Sequence, residues 1–501
     1  MDFNFCKHEY YEFFFLNSHK KILKLGYMIT FLICLALLVA AYFGYGAYLD
    51  RVCQIDEKAA VPSATLYDGV DYIPMPRWRT FLIQLLNIAG IGPIFGAVMG
   101  ACFGPVVFLW ITFGGIFVGA MHDYISGIIL LRNDGLSLPE IVGRYLGNGM
   151  RQFMRALSLV LLILVGVVFM RSPASILGGM VTAIPYWGWI VIILVYYFIA
   201  TMLPIDKLIG KIYPLFGAAL IFMSVGLAVT LFKGDYVIPN LTFETLRNYQ
   251  ANAESMPIIP TLFITVACGA ISGFHATQSP LMARCMNNER EGRMIFYGSM
   301  ITESIIALIW AAIGMAFFHG PDGLVVTLAE HGNNAAWAVG EIANTTLGVV
   351  GGMIALFGVV SAAVTSGDTA FRSARLIIAD VLKVEQRSLL KRFAIACPLF
   401  AIGVVLLFVD FDVVWRYFAW TNQAMSVVTL WVIVVYLKKY KRNIWVALPP
   451  AILMTYICTS FVFISGQFIG MANHNLAYIL AGVVTVALSV AMWFRIMKNA
   501  K

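Results

Sequence analysis

The chain has 501 residues, 60% of them apolar and 12% charged, with a formal net charge of +8. That balance excludes a soluble globular domain and describes an all-α polytopic membrane protein. In such a chain the positive excess collects in short loops on one side of the bilayer, so nucleic acid is set aside as a partner.

Hydropathy places about thirteen segments of roughly 20 residues, the length a hydrocarbon core demands of a helix. They cover 25–49, 80–100, 104–131, 153–175, 185–203, 212–232, 258–282, 294–319, 344–371, 390–409, 412–437, 445–467 and 474–496. The first follows Lys20, Lys21 and Lys24. Its apolar run is too long for a secretory signal and no small-residue cleavage site follows, so it reads as an anchor. The connection 50–78 carries turn chemistry in "YDGVDYIPMP". Residues 233–257 include "NLTFETLRNYQANAESMP", a surface amphipathic helix by pattern, in which the Asn240 sequon reads as chance. Both connections are shorter than about 40 residues, below which a domain rarely folds unaided. The eight cysteines are scattered without paired spacing and read as small buried hydrophobes.

Basic residues set the orientation. Connection 132–152 holds Arg132, Arg144 and Arg151; 283–293 holds Arg284, Arg290 and Arg293; 372–392 holds Arg372, Arg375, Lys383, Arg387, Lys391 and Arg392; 438–444 has four more. These face the cytoplasm. Connection 320–343 has Asp322, Glu330 and Glu341 without Lys or Arg, and 466–473 is uncharged, so these face outward. The alternation puts loop 50–78 inside and the N-terminus outside, against the pull of the four lysines in the N-terminal tail.

Two segments are punctuated where a membrane helix should be most regular. "NIAGIGPIFGAVMGACFGP" sets Gly90 and Gly92 beside Pro93, and "ACGAISGFHATQSP" gathers Gly269, Gly273, His275, Gln278, Ser279 and Pro280. In lipid, irregular backbone survives only where protein or a water-filled cavity surrounds it. The breaks fall in the second and seventh spans, five apart, which is the pattern of a transporter built from two inverted five-helix repeats. Such breaks free backbone groups to bind a solute, and Asn87, Gly90, Gly92, Pro93, Gly273, His275, Gln278 and Asn422 become candidate substrate-binding residues. The competing reading is close packing, for which Gly96 and Gly100 have the spacing. The organisation expected is an anchor and loop over 1–78, repeats over 79–233 and 234–440, and two further helices over 441–501.

Ionisable groups inside a bilayer are costly and mark function by default. His122 and Asp123 lie toward the inner end of span 104–131, and Glu303 near the middle of span 294–319. Thr365, Ser366, Asp368, Thr369 and Arg372 crowd the end of span 344–371. A carboxylate such as Asp123 or Glu303 suits proton coupling, whereas the Thr365 and Ser366 hydroxyls could hold sodium with carbonyls freed by the first break. Asp368 is also a coupling candidate, although with Arg372 it has the i, i+4 spacing of an internal ion pair. His275, Asn422 and Gln423 have the alternative role of bridging helices. The Met and aromatic residues, Trp187, Trp189, Trp415 and Trp420 among them, read as core or interfacial belt.

From about residue 67 to 440 the chain resembles the carbon starvation protein A (CstA) transporters. The resemblance rests on "DGVDYIPMP", "NIAGIGPIFGAVMG", "GGIFVGAMHDYISG", "RNDGLSLPEIVGRYLG", "SGFHATQSP", "EREGRMIFYGSMITES", "TSGDTAFRSAR" and "NQAMS". It implies the five-plus-five inverted-repeat core of the amino acid, polyamine and organocation (APC) superfamily. Spans 80–100 and 258–282 would then be the first and sixth core helices, and span 344–371 the eighth, where sodium-coupled members place paired hydroxyls. It also implies uptake of peptides or pyruvate during carbon starvation. Ile83 and Gln84 stand where longer members have a His-His pair, so a role for those histidines does not transfer.

The expected protein is a plasma (inner) membrane secondary importer of small carboxylate-bearing nutrients, coupled to a proton or sodium gradient and without a cofactor. The alternative is a nutrient sensor binding the same ligands without transport, for which no connection is long enough to hold a signalling module. HExxH, Walker A and GxSxG patterns are missing, which ranks an enzyme last. No filter or ring-forming motif suggests a channel.

Overall fold

The computed structural model describes residues 26, 28–203, 205–386 and 388–499. Cys6, the N-terminal tail lysines and Arg387 lie outside them. The helices are α1 Ile29–Cys53, α2 Arg77–Ile88, α3 Gly92–Ala101, α4 Val106–Leu131, α5 Leu138–Leu146, α6 Asn148–Met180, α7 Tyr186–Met202, α8 Ile205–Lys233, α9 Ile258–Thr265 and α10 Gly273–Ala283. They continue with α11 Glu289–Phe317, α12 Pro321–Glu330, α13 Ala335–Leu382, α14 Leu389–Leu406, α15 Phe411–Lys439, α16 Ile444–Ile464 and α17 His474–Asn499.

Among the described residues ten helices are each long and apolar enough to cross a membrane, and α2 with α3 makes an eleventh bent by 48°. The two remaining expected segments are α7, with 17 residues, and the half-helices α9 and α10. Burial separates centre from periphery. The spanning stretches of α4 and α11 are 78% and 83% buried, whereas those of α1 and α17 are 28% and 17% buried. The outer side of α17 shows Ile479, Val483, Val486 and Phe494, an apolar face suited to lipid. Inside, α6 and α8 pack along α13, and α10 lies between α4 and α15.

Local signals explain the connections on the basic face. In α5, Leu138, Ile141, Val142, Tyr145 and Leu146 are buried, the i, i+3, i+4, i+7, i+8 stripe of an amphipathic helix. Pro139 opens it and Gly147, at φ +83°, closes it. Its polar side carries Glu140, which pairs with Arg155 at 2.5 Å. Arg132 makes a two-point pair with Glu289, each contact 2.8 Å, and donates to the Cys53 carbonyl at 3.0 Å. The ends of α1, α4 and α11 on the basic face are thereby joined. On the opposite face Asn240 accepts from the Thr30 amide at 3.0 Å, so the sequon asparagine tethers the start of α1.

Candidate functional site

The first break begins where α2 stops at Ile88. Ala89 leaves the helical region and the Gly90 amide turns back to the Ile88 carbonyl at 2.9 Å before α3 starts at Gly92 with Pro93 in its first turn. A proline there costs nothing, because the first amides of a helix have no helical partner. The Leu86 carbonyl is then taken by α13: Ser366 Oγ donates to it at 2.9 Å and Thr365 Oγ1 at 3.4 Å.

The second break runs from Val266 to Ser272 between α9 and α10. Its freed groups are also claimed by side chains. Trp110 Nε1 donates to the Val266 carbonyl at 3.1 Å. Asn422 Oδ1 accepts from the Phe274 amide at 2.7 Å and from Ser272 Oγ at 3.0 Å, and so caps α10 from a different helix. The helix-bridging role considered for Asn422 is thus the one its carbonyl oxygen performs. Asn422→Ala leaves a buried amide unpaired and is expected to cost about 1–3 kcal/mol, seen as a lower thermal unfolding midpoint of the purified protein.

Glycines let the two breaks interlock. A Cβ on Gly92 would meet Cys268 Sγ at 2.4 Å, one on Gly96 the Thr265 carbonyl oxygen at 2.8 Å, and one on Gly100 Val266 Cγ2 at 2.2 Å. At Gly90 it would meet the Phe169 ring at 2.4 Å, and at Gly273 the Asn422 carbonyl oxygen at 2.4 Å. Close packing and backbone release therefore coexist at both breaks.

Four of the expected residues with ionisable side chains converge beside the second break. Asp123 Oδ1 is 2.8 Å from His122 Nδ1, Asp123 Oδ2 is 2.7 Å from His275 Nδ1, and His275 Nε2 is 3.4 Å from Glu303 Oε2. All four side chains are 0% exposed. Neither Glu303 oxygen has a hydrogen-bond partner in the protein. Cys268 Sγ completes a set of donor atoms with His275 and Glu303 that lie within 4.8 Å of one another. Two carboxylates and two imidazoles thus meet in one buried cluster, where a proton on one group changes the charge its neighbours face. His275, expected on the substrate list, stands in the middle of this chain, with Asp123 on one ring nitrogen and Glu303 beside the other.

Asp368 is elsewhere. Its carboxylate accepts from Tyr196 and Tyr213, each at 2.9 Å. The i, i+4 ion pair with Arg372 does not form. Arg372 turns away to the Ala200 and Leu203 carbonyls at 2.5 and 2.9 Å, and stands 3.7 Å from Asp71. The phenols on α7 and α8, from a distant part of the sequence, satisfy the carboxylate that helix spacing alone would have given to arginine.

Asn87 presents a buried amide with neither atom bonded to protein, and so does Gln84 three residues earlier on the same face of α2. Gln84 was not among the expected site residues, although the i, i+3 spacing signals it. Gln278 donates to Thr277 Oγ1 at 3.0 Å while its carbonyl oxygen has no protein donor. On the face opposite the basic loops a cavity of about 400 Å³ is lined by Phe95 and Met99 of α3, Ser172 and Ser175 of α6, and Trp415 of α15.

The family described as carbon starvation protein CstA matches residues 27–177 and 174–322. A Haemophilus influenzae membrane protein is 43% identical over 346 residues, 59% of this chain and 93% of its own length. The peptide transporter CstA of Campylobacter jejuni is 25% identical, covering 80% of this chain and 63% of its own. The pyruvate/proton symporter BtsT of Escherichia coli is 28% identical, covering 62% of this chain and 53% of its own. Among solved structures, MhsT in complex with L-phenylalanine superposes with a TM-score of 0.52 at 13% identity, covering 85% of this chain and 99% of that one. The chain therefore has the inverted-repeat transporter fold with two discontinuous helices.

Proposed function

The chain belongs to the carbon starvation protein CstA family and is a multi-pass membrane transporter, and we propose that it imports small carboxylate-bearing nutrients, peptides or pyruvate, together with protons. Two of its relatives are named as transporters, one of peptides and one of pyruvate with a proton. The observation that carries the proton reading is the buried Asp123–His275–Glu303 chain, which links α4, the second broken helix and α11. Movement of α10 during transport would make and break its contacts, so proton occupancy and conformation are coupled through one imidazole.

The substrate is held between the breaks. The N-terminus of α3 at Gly92 turns its positive dipole end toward a carboxylate, while the Ile94 and Phe95 amides turn back to the Ile91 carbonyl. Asn87 and Gln278, whose buried amides have atoms without a protein partner, are assigned to this region, with Gly90, Gly273, His275 and Asn422 at the breaks around them. Residues 79–233 and 234–440 form the two repeats, and carbon starvation is the condition in which the import serves.

Labelled pyruvate and a labelled dipeptide, each offered to proteoliposomes under an imposed pH gradient and separately a sodium gradient, test the proposal. Uptake of either solute under the pH gradient alone, unchanged when choline replaces sodium, is expected. Silence under both gradients with both solutes sinks it.

A second reading has its own observation: Thr365 and Ser366 converge on the Leu86 carbonyl at the first break, an oxygen-rich arrangement that suits sodium. On that reading Ser366→Ala lowers sodium-driven uptake about tenfold or more, at least the loss that follows removal of a group supporting a bound ion, with membrane expression unchanged. On the proton reading the same variant stays within about threefold of the parent, since it removes a single hydrogen bond.

A further inference from the structure

A second buried cluster lies nearer the basic face. Arg284 follows α10, and Arg372 and Arg375 lie on α13 one and two turns beyond Asp368; they are 5%, 1% and 0% exposed. Arg375 is within electrostatic reach of Arg284, Arg372 and Asp71. It donates through Nη1 to Gln386, whereas its Nε and Nη2 have no acceptor in the protein. Arg284 donates Nε to the Gly135 carbonyl at 2.8 Å and lies over the Tyr72 ring.

The carboxylate set against them is a poor partner. Asp71 Oδ1 is 3.7 Å from Arg372 Nη1, beyond hydrogen-bond length, and neither atom is bonded otherwise. Asp71 belongs to the connection between α1 and α2. There Asp68 Oδ1 accepts from the amides of Val70, Asp71 and Tyr72 at 2.8 to 2.9 Å. The connection is fastened beside α10 by Ser63 to the Met286 carbonyl at 2.5 Å and by the Met75 amide to the Cys285 carbonyl at 3.0 Å. A buried guanidinium with unused donors is costly unless an anion meets it, and its planar fork matches a carboxylate.

We propose that Arg372 and Arg375, with Arg284 beside them, form an inner anion site that receives the carboxylate of the transported solute on its way to the basic face. Asp71 is the tethered carboxylate that competes for it. The inference rests on the reading that the solute is a small carboxylate.

The test follows thermal unfolding of the full chain in nanodiscs as pyruvate, dialanine or sodium chloride is added. Removing the competitor in Asp71→Asn lowers the pyruvate or dialanine concentration for half-maximal stabilisation about tenfold, because a larger fraction of the site is competent to bind. Arg375→Gln in the same background abolishes that gain and Arg375→Lys restores part of it; if Arg375→Gln does not fold, Arg372→Gln replaces it. Titration of Asp71→Asn identical to the parent overturns the inference, as does a gain that survives loss of the arginine, or equal stabilisation by chloride. Adding Asn87→Leu at the central site separates the two readings. It should stop uptake yet leave the Asp71→Asn titration unchanged. Continued uptake counts against the central site alone, and loss of the titration counts against the inner one.

Discussion

Glu303→Gln is expected to abolish pH-driven uptake, lowering the initial rate about 100-fold or more, the scale of losing a group that must accept and deliver a proton. The substitution keeps size and burial but removes the proton. Exchange of labelled for unlabelled solute across the membrane, which needs no net proton movement, should persist within a few-fold. That split distinguishes a coupling residue from a structural one. Asp123→Asn acts through His275: the amide can still meet a ring nitrogen, but without the carboxylate's charge, so net uptake falls while expression holds. Equal loss of exchange and net uptake in both variants would mean that the cluster only supports the fold.

Gly273→Ala should be among the most damaging single methyls in the molecule's centre. The added Cβ would stand 2.4 Å from the Asn422 carbonyl oxygen and 2.5 Å from the Ser426 amide nitrogen, both backbone atoms of α15. A flexible side chain could yield, but a helix backbone must shift as a whole. The expected cost is about 1–3 kcal/mol, read as a lower unfolding midpoint and a several-fold smaller monodisperse yield in detergent. Transport falls further, because the same displacement pulls the Phe274 amide from its Asn422 cap. Gly314→Ala is the control, since its Cβ meets only side-chain carbons at 3.8 and 3.9 Å and stability should be retained.

The residues that made the sequence legible were those with local meaning. Gly90, Gly92 and Pro93 announce a break because proline lacks an amide hydrogen and glycine tolerates the turn, and α2 and α3 part at that point. Asp123 and Glu303 stood out because charge is costly in lipid. Their meeting through His275 was not legible, for it joins residues 152 positions apart. Asp368 shows the limit from the other side. Its i, i+4 neighbour Arg372 was the obvious partner, yet Tyr196 and Tyr213 reach it first because α7 and α8 pack on that side of α13.

Sequence by itself determined the class of molecule, the positions of the spans and breaks, and the basic face. Each follows from hydropathy, proline, glycine or charge within a window of a few turns. Tertiary structure alone decided where the freed backbone groups go: Leu86 to Ser366, Val266 to Trp110, Phe274 to Asn422. It also decided that Asp71 faces the arginines of α13. Such pairings depend on which helix faces touch, and in a bilayer many apolar faces are nearly equivalent. Small residues at contact points and the demand that every buried polar group find a partner select one arrangement among them.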